Sequence, residues 1–170
     1  ITPSGGVKCW GNNYNGELGD NTKDDRSTPV EVIGLDTGVT AIALGNSHTC
    51  ALMESGDVKC WGDNEYGQLG DGTNTNRLTP VNVIGLDSGV TTITAGENHT
   101  CALATEGGVK CWGWNTWGQL GDFSTTDRNH PVDVVGLDSG IVVIEAGWER
   151  TCGITIEGGL ICWGTGYGLW

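Results

Sequence analysis

The chain has 170 residues, of which 30 are glycine, and its 21 acidic and 8 basic side chains give a formal net charge of −13. A surface this acidic repels phosphate backbones and anionic lipid, so nucleic acid and acidic membranes are not expected as partners. No apolar run approaches the roughly 20 residues that span a bilayer, so membrane insertion is not expected either.

The chain is organised around a Cys-Trp-Gly triplet that recurs with a period of 51 residues, beginning at Cys9, Cys60, Cys111 and Cys162. A fixed period of this size indicates a repeat architecture. Glycine falls at constant places in the repeat, which indicates turns rather than low complexity.

The first stretch of the chain shows what each repeat contains. Residues 1–28 are predicted to be the end of a preceding hairpin followed by a polar loop. Alternation of apolar and polar residues predicts a half-buried strand at 29–33, and residues 39–44 are predicted to form the next strand. Residues 48–53 and 58–61 are predicted to form a hairpin around a glycine turn. No segment has helical periodicity.

Three copies of this pattern are predicted to follow one another. After the leading segment 1–28, the repeats cover residues 29–79, 80–130 and 131–170, the last with a truncated tail. Four short strands at this period are typical of propeller blades. The predicted fold class is therefore all-β, a partial β-propeller with about three four-stranded blades and one leading strand. Each blade is expected to bury one face on the next.

Six of the seven cysteines form three pairs with one spacing. They are Cys50 with Cys60, Cys101 with Cys111, and Cys152 with Cys162. Each pair flanks a hairpin turn, which predicts a disulfide worth about 2–3 kcal/mol. Disulfides indicate an oxidising compartment, and hence an extracellular or cell-surface location. Reduced, half-buried thiols or zinc ligands are the alternatives. Cys9 has no partner in this sequence.

Two stretches share the order Gly-x-x-His-Thr-Cys-Ala-Leu followed by Val-Lys-Cys-Trp-Gly-x-Asn-x-x-Gly-Gln-Leu-Gly, at residues 45–70 and 96–121. This pattern resembles the repeat of the regulator of chromosome condensation family. The resemblance implies a seven-bladed propeller, of which this chain would form a little under half, and faces that bind proteins. The cysteine-paired form is similar to secreted bacterial members. The last repeat departs, with Arg150 at the histidine position and a tail at 165–170 that loses the register.

Several polar positions are constant between repeats and are predicted to have structural roles. An arginine can hold a carboxylate at two points, which predicts an Arg–Asp clasp within or between blades. The clasp residues are Arg26, Arg77 and Arg128, with Asp20, Asp71 and Asp122, or alternatively Asp36, Asp87 and Asp138. His48 and His99 are predicted to bond backbone inside their own blade. The tryptophans of the four triplets are predicted to pack in the core or between blades.

No nucleophile-and-base set, phosphate-binding loop or metal motif is present, so neither enzymatic activity nor a cofactor is expected. Asp20, Asp24 and Asp25 lie in one loop and could hold calcium. The equivalent loops do not share this ligand pattern, which favours a solvated loop instead.

The positions that vary on the constant scaffold are the candidates for binding. Several carry aromatic side chains, which are typical of protein hot spots and sugar platforms, although local packing is an alternative. The candidate binding face comprises Tyr14, Tyr66, Trp114, Trp117, Phe123 and Trp148.

The sequence features are compatible with three functions. The first is a non-enzymatic extracellular or surface module that binds another protein. The second is a structural subunit that self-assembles through open blade edges into a ring, a filament or a surface layer. The third is carbohydrate binding by the aromatic side chains. The expected partner is a protein, which includes other copies of this chain.

Overall fold

The computed structural model describes residues 1–165, which form thirteen β-strands. The strands are β1 (Lys8–Gly11), β2 (Arg26–Glu31), β3 (Val39–Leu44), β4 (His48–Met53), β5 (Val58–Gly62), β6 (Arg77–Asn82), β7 (Val90–Ala95), β8 (His99–Ala104), β9 (Val109–Gly113), β10 (Arg128–Asp133), β11 (Ile141–Ala146), β12 (Arg150–Thr155) and β13 (Leu160–Gly164). None of the described residues forms a helix long and apolar enough to cross a membrane. The all-β prediction is confirmed.

The strands form four antiparallel sheets, which we call the first blade (β1–β2), the second (β3–β6), the third (β7–β10) and the fourth (β11–β13). Two blades are therefore complete and two are partial in the described residues. The number of strands agrees with the sequence prediction, but their grouping is offset from the repeat boundaries. The stretch 29–33, predicted to open a repeat, begins within β2, which pairs back with β1. The repeat period gives the spacing of equivalent strands, but it does not give the residue at which one sheet ends and the next begins.

The blades stack side by side around an axis. The first strands of successive blades, β3, β7 and β11, lie against one another. The outermost strands, β2, β6 and β10, each contain a proline, namely Pro29, Pro80 and Pro131. An edge strand tolerates proline because its missing N–H is not needed for the ladder. The pairing register also shifts in these strands, as a bulge would produce.

The three predicted disulfides are present, each joining cysteines that face each other directly across a hairpin. Their Cα atoms are 4.1 Å apart in every case. Cys9 is free and half-buried, and burial raises the pKa of its thiol.

The hydrophobic core lies between blades. Trp112 of the third blade is fully buried in a cluster with Leu52 and Leu69 of the second. Trp61 is buried in the same way against the first blade. Trp10 does not follow the prediction for the triplet tryptophans, since it is 61% exposed. The described residues contain no preceding blade on which it could pack.

The tail prediction can be examined only at its first residue, because residues 166–170 lie outside the described range. Thr165 keeps the register that it was expected to lose. Its N–H donates to the Glu149 carbonyl at 3.0 Å, as the Trp114 N–H donates to Asn98 one repeat earlier.

Candidate protein-binding face

Antiparallel pairing brings two loops of each blade to the same end of the sheet. These are the short loop between the first and second strands and the long loop between the third and fourth. We call the surface that they form the upper face. It comprises residues 12–25, 45–47, 63–76, 96–98, 114–127 and 147–149.

A buried asparagine holds each long loop in one conformation. Asn64 accepts a hydrogen bond from the Leu69 N–H at 3.0 Å. Its amide donates to Asp71 Oδ1 and to the carbonyls of Thr73 and Thr75 at 3.0–3.2 Å. The equivalent asparagines are Asn13 and Asn115. Because a buried amide with satisfied partners is costly to disturb, the loops are preorganised.

The Arg–Asp pairs close the same loops onto the outermost strands. The Arg77 guanidinium lies 2.6 Å from Asp71 Oδ2 through Nη2 and 2.7 Å through Nε. Partial burial raises the pKa of the Asp71 carboxyl, but hydrogen bonds from Thr73 and Arg77 outweigh it and leave the pKa below its ordinary value. The equivalent ion pairs are Arg26–Asp20 and Arg128–Asp122. In the described residues each pair joins a loop aspartate to the first residue of the following strand in the same blade, and Asp36, Asp87 and Asp138 form no ion pair with these arginines.

The loops of neighbouring blades are joined directly. The Asn46 N–H donates to the Glu97 carbonyl at 3.1 Å, and the Glu97 N–H donates to Trp148 at 3.3 Å. Further out, the Gly72 N–H donates to the Asn129 carbonyl at 2.9 Å. The upper face is therefore one connected surface rather than a set of independent loops.

The recurring histidines also join blades, and the prediction that they bond backbone in their own blade is wrong. His48 Nε2 lies 2.9 Å from Thr100 Oγ1 in the next blade, and His99 Nε2 lies 3.0 Å from Thr151 Oγ1. Thr100 donates in turn to the Gln68 carbonyl at 2.9 Å. Partners 52 residues apart leave no local signal in the sequence.

Burial keeps both histidines neutral. It lowers the pKa of His48 to about 3, with a smaller contribution from His99, and it lowers the pKa of His99 to about 4. A Cβ at Gly45 or Gly96 would overlap the ring of His48 or His99. In the last repeat Arg150 replaces the histidine, and a Cβ at Gly147 would meet no such overlap.

Two aspartates of the loop considered for calcium make hydrogen bonds near the loop. Asp20 is engaged by Arg26, Thr22 and Asn13. Asp25 accepts the Asn13 N–H at 2.8 Å. Among residues 1–165 no three histidine, cysteine or acidic side chains lie so that they could hold a metal ion.

All six aromatic residues of the predicted binding face lie in loops of the upper face. The structure brings two of them together, since the rings of Tyr66 and Trp114 lie 5.9 Å apart at an angle of 44°. Tyr14, Trp117, Phe123 and Trp148 are exposed. The Tyr66–Trp114 pair joins the loops of the two complete blades, so its surroundings do not depend on the open ends of the chain.

Phe123 has the most unusual backbone of the six. Its φ is +59°, in the left-handed region where its counterparts are Asn21 and Gly72. A bulky residue there is strained, and at 91% exposure it gains no packing in return. The N–H of its counterpart Gly72 donates to the Asn129 carbonyl in the outermost strand of the next blade. For Phe123 the next blade is the fourth, whose described part has no outermost strand. Part of the exposure of Phe123 therefore results from this open edge.

Carboxylates lie near Tyr66, one member of the aromatic pair. The pKa of the Tyr66 phenol is raised, foremost by the Glu65 carboxylate and then by partial burial. Three more carboxylates act in the same direction, namely Asp127, Asp63 and Glu97. The upper face at this junction therefore combines aromatic surface with a negative potential.

A comparison with known sequences decides the family. The profile described as "Regulator of chromosome condensation (RCC1) repeat" matches residues 4–52, 55–103 and 106–154. This chain belongs to the RCC1 repeat family. A second profile with the same description matches residues 39–68 and 90–119. The resemblance drawn from the sequence is thereby confirmed.

Relatives with RCC1 repeats are much longer than this chain. It is 32% identical to the ultraviolet-B receptor UVR8 of Arabidopsis thaliana over 167 residues. These residues cover 96% of this chain and 38% of the receptor. It is 34% identical to the E3 ubiquitin-protein ligase HERC2 of Homo sapiens over 171 residues. This match covers 98% of this chain and 4% of the ligase.

A solved RCC1-type propeller has the same fold. The structure of Prp20p from Saccharomyces cerevisiae matches with a TM-score of 0.80 at 26% identity, over 98% of this chain and 43% of Prp20p. The partial β-propeller predicted from the repeat is therefore confirmed. The chain spans less than half of each of these three proteins.

Proposed function

We propose that this chain is a protein-binding part of a larger RCC1-repeat propeller and that its partner contacts the upper face around Tyr66 and Trp114. The observation that carries the proposal is this aromatic pair at the junction of two complete blades. Both residues occupy positions that differ between the repeats, with Asn15 and Asp63 among their counterparts, while the loop scaffold is constant. The fold does not require aromatic rings there.

The RCC1-type relatives support a protein partner. Prp20p is described with binding properties to Gsp1p and histones, and yeast RCC1 (Prp20) has been crystallised with Kap60. The covered share of Prp20p, 43%, also equals about three blades of a seven-bladed ring. The ligase activity in the name of HERC2 does not carry over, because this chain covers 4% of that protein. A non-enzymatic role is therefore proposed.

The chemistry of the face selects a basic partner. Carboxylates attract arginine and lysine and steer their approach, and an aromatic ring adds a cation–π contact. The net charge of −13 acts in the same direction over a longer range. Binding of this kind weakens as salt screens the charges.

Removing the aromatic pair tests the proposal. The double variant Tyr66→Ala and Trp114→Ala is expected to weaken binding to basic proteins at least tenfold, since hot spots centre on aromatic anchors. Binding to core histones and to an acidic control protein is measured by interferometry at two salt concentrations. Ile156→Ala is the matched control, because it removes an exposed apolar side chain from the turn at the opposite end of a blade.

Two results would contradict this assignment. One is equal binding of the native chain to the basic and the acidic probe. The other is a double variant that binds as tightly as the Ile156→Ala control. Binding to a panel of sugars that disappears with the aromatic pair would favour carbohydrate as the ligand instead.

An extracellular or cell-surface location is part of the proposal and is supported by the three disulfides. Peptide mapping of the denatured, unreduced protein from its native source is expected to find three bridges, which join Cys50 to Cys60, Cys101 to Cys111 and Cys152 to Cys162. Finding these six cysteines as free thiols would remove the argument for an oxidising compartment. The fold assignment would stand in either case.

Self-assembly is a second candidate, favoured by the open edge of the fourth blade. Its outer strand β13 exposes Leu160 and Ile161, and no further strand pairs with it in the described residues. An unpaired apolar edge is a template for another chain. Native mass spectrometry at micromolar concentration is expected to show oligomers if this edge assembles. A persistent monomer would exclude the candidate.

A further inference from the structure

A small pocket lies at the outer edge of the upper face, where the second and third blades meet. Its volume is about 160 Å³, and its lining comprises Tyr66, Asn74, Asp127, Arg128, Asn129 and His130. Both blades are complete in the described residues, so the pocket does not lie at an open edge. Pockets for drug-sized ligands measure roughly 300–1,000 Å³, so this one has room for the end of a single side chain.

Hydrogen bonds between the two blades hold the wall of the pocket in place. Asn129 Nδ2 donates to the Gly72 carbonyl at 3.1 Å and to Asn74 Oδ1 at 3.3 Å. Asn74 Nδ2 donates in turn to the Glu65 carbonyl at 2.8 Å. A Cβ at Gly67 would lie 2.4 Å from the Asn129 Cα, which shows how closely the two blades approach each other. A ligand therefore meets a preformed pocket and does not have to order these side chains.

The pocket presents hydrogen-bond acceptors. Asp127 Oδ1 accepts the Asn115 N–H at 2.8 Å, and no hydrogen bond within residues 1–165 uses the second oxygen of Asp127. Because Asn129 Nδ2 is bonded to Gly72, it is the Asn129 Oδ1 that lies 3.1 Å from His130 Nδ1. An amide oxygen only accepts, so His130 Nδ1 carries a proton and Nε2 is the acceptor of the neutral ring. Both side chains therefore favour a ligand that donates hydrogen bonds.

The unpaired charge of the pocket is negative. The Arg128 guanidinium lies 2.7 Å from Asp122 Oδ2, so its positive charge is already paired. Asp127 forms no ion pair with any of the described residues. It lies near enough to Tyr66 to raise the pKa of the phenol, after the larger effects of Glu65 and of partial burial. A carboxylate beside an aromatic ring suits a guanidinium, which forms a charged hydrogen bond with the first and stacks on the second.

The same place between the first and second blades is bridged directly. Asn76 stands at the position of Asp127, and its Nδ2 donates to Asn15 Oδ1 at 3.3 Å. Asn15 in turn stands at the position of Tyr66, and the apolar Leu78 stands at the position of Asn129. The repeat scaffold therefore does not require an aromatic ring and a carboxylate at this junction.

We propose that this pocket binds the guanidinium of an arginine side chain and that Asp127 selects it. The inference rests on the function proposed above, because the arginine belongs to the basic partner of the upper face. The guanidinium donates to the Asp127 carboxylate and to the neutral ring of His130, while its flat face stacks on Tyr66. A lysine ammonium pairs with the same carboxylate, but it is more strongly hydrated and has no flat face. Arginine is therefore preferred over lysine.

Nuclear magnetic resonance titrations of the 170-residue chain with three capped tripeptides test this assignment. The probes carry glycine on either side of arginine, lysine or citrulline, which is the uncharged analogue of arginine. The arginine peptide is expected to shift the amide signals of Asn129 and His130 in a saturable way. The citrulline peptide is expected to bind about tenfold more weakly, because the charged hydrogen bond is lost. The lysine peptide is expected to bind about threefold more weakly than the arginine peptide.

Asp127→Asn removes the charge and keeps the hydrogen bond that Asp127 makes to its own loop. In the second blade Asn76 already fills this position, where its Oδ1 accepts the Asn64 N–H at 2.9 Å. The variant is expected to bind the arginine peptide about tenfold more weakly. Asp25→Asn is the matched control, because Asp25 holds the same position in the first blade and accepts the Asn13 N–H at 2.8 Å. It changes the net charge equally and is expected to leave binding unchanged.

Any of four results would overturn the proposal. These are an arginine peptide that causes no saturable shifts, equal binding of the arginine and citrulline peptides, a lysine peptide that binds more tightly than arginine, and an Asp127→Asn variant that binds like Asp25→Asn. If core histones still bound through Tyr66 and Trp114, such a result would remove the arginine pocket and leave the protein-binding face. Binding of the arginine peptide without histone binding would instead support the pocket and contradict the proposed function.

Discussion

At pH 5 the protein is expected to be less stable than at pH 7 by about 4 kcal/mol, because two buried histidines must stay neutral in the folded state. Burial lowers the pKa of His48 to about 3 and of His99 to about 4, whereas an unfolded histidine titrates near 6.5. Between these values the unfolded chain binds protons that the native chain does not. Stability is therefore complete above pH 6.5 and is lost progressively as the pH falls towards 4.

Urea titrations followed by tryptophan fluorescence between pH 7 and pH 5 measure this dependence. The variant His99→Asn is expected to lose about half of the pH dependence, although its stability at pH 7 also falls because Thr151 loses a partner. His130→Asn is the control, since His130 is exposed. An unchanged slope in His99→Asn would show that this ring is not held neutral.

The aspartates of the Arg–Asp pairs act in a different pH window. Burial raises the pKa of each of these carboxyls. Hydrogen bonds, foremost those from Thr22, Thr73 or Ser124, outweigh burial and hold the pKa below its ordinary value. Their contribution is present above pH 4 and is lost only as the pH falls through the lowered values. The loss between pH 7 and pH 5 therefore reports the histidines.

Trp112→Ala is expected to destabilise the protein by about 3–5 kcal/mol, the usual cost of removing a large buried aromatic side chain. Trp112 is fully buried between the second and third blades, and its Nε1–H donates to the Gln68 carbonyl at 2.9 Å. The variant loses this packing and leaves a cavity at the blade interface. Loss of the interface would also uncouple the two complete blades.

Trp10→Ala is the matched control for this experiment. Trp10 stands at the same position of the repeat but is 61% exposed, so its removal is expected to cost less than about 1 kcal/mol. Chemical denaturation of both variants measures the difference. Equal destabilisation would contradict the interface packing described for Trp112, since local strand propensity is the same at both positions.

Much of the fold follows from local features of the chain. Alternating side chains and glycine turns predict the strands, and the spacing of Cys50 and Cys60 predicts a bridge across their hairpin. The aromatic candidates could be selected because they vary on a constant scaffold. The sequence pattern did not indicate that Tyr66 and Trp114 touch, or that Phe123 lies beside an open edge.

The amino-acid sequence alone determined the all-β class, the period of the blades and the pairing of six cysteines, because each depends on neighbours within one hairpin or on a constant spacing. Only the tertiary structure decided which hairpin each outer strand joins, that His48 reaches Thr100, and which aromatic rings meet on the upper face. These contacts join residues of different repeats, 52 positions apart for His48 and Thr100. Such partners are brought together by the stacking of blades, and nothing in the local pattern of either residue records it.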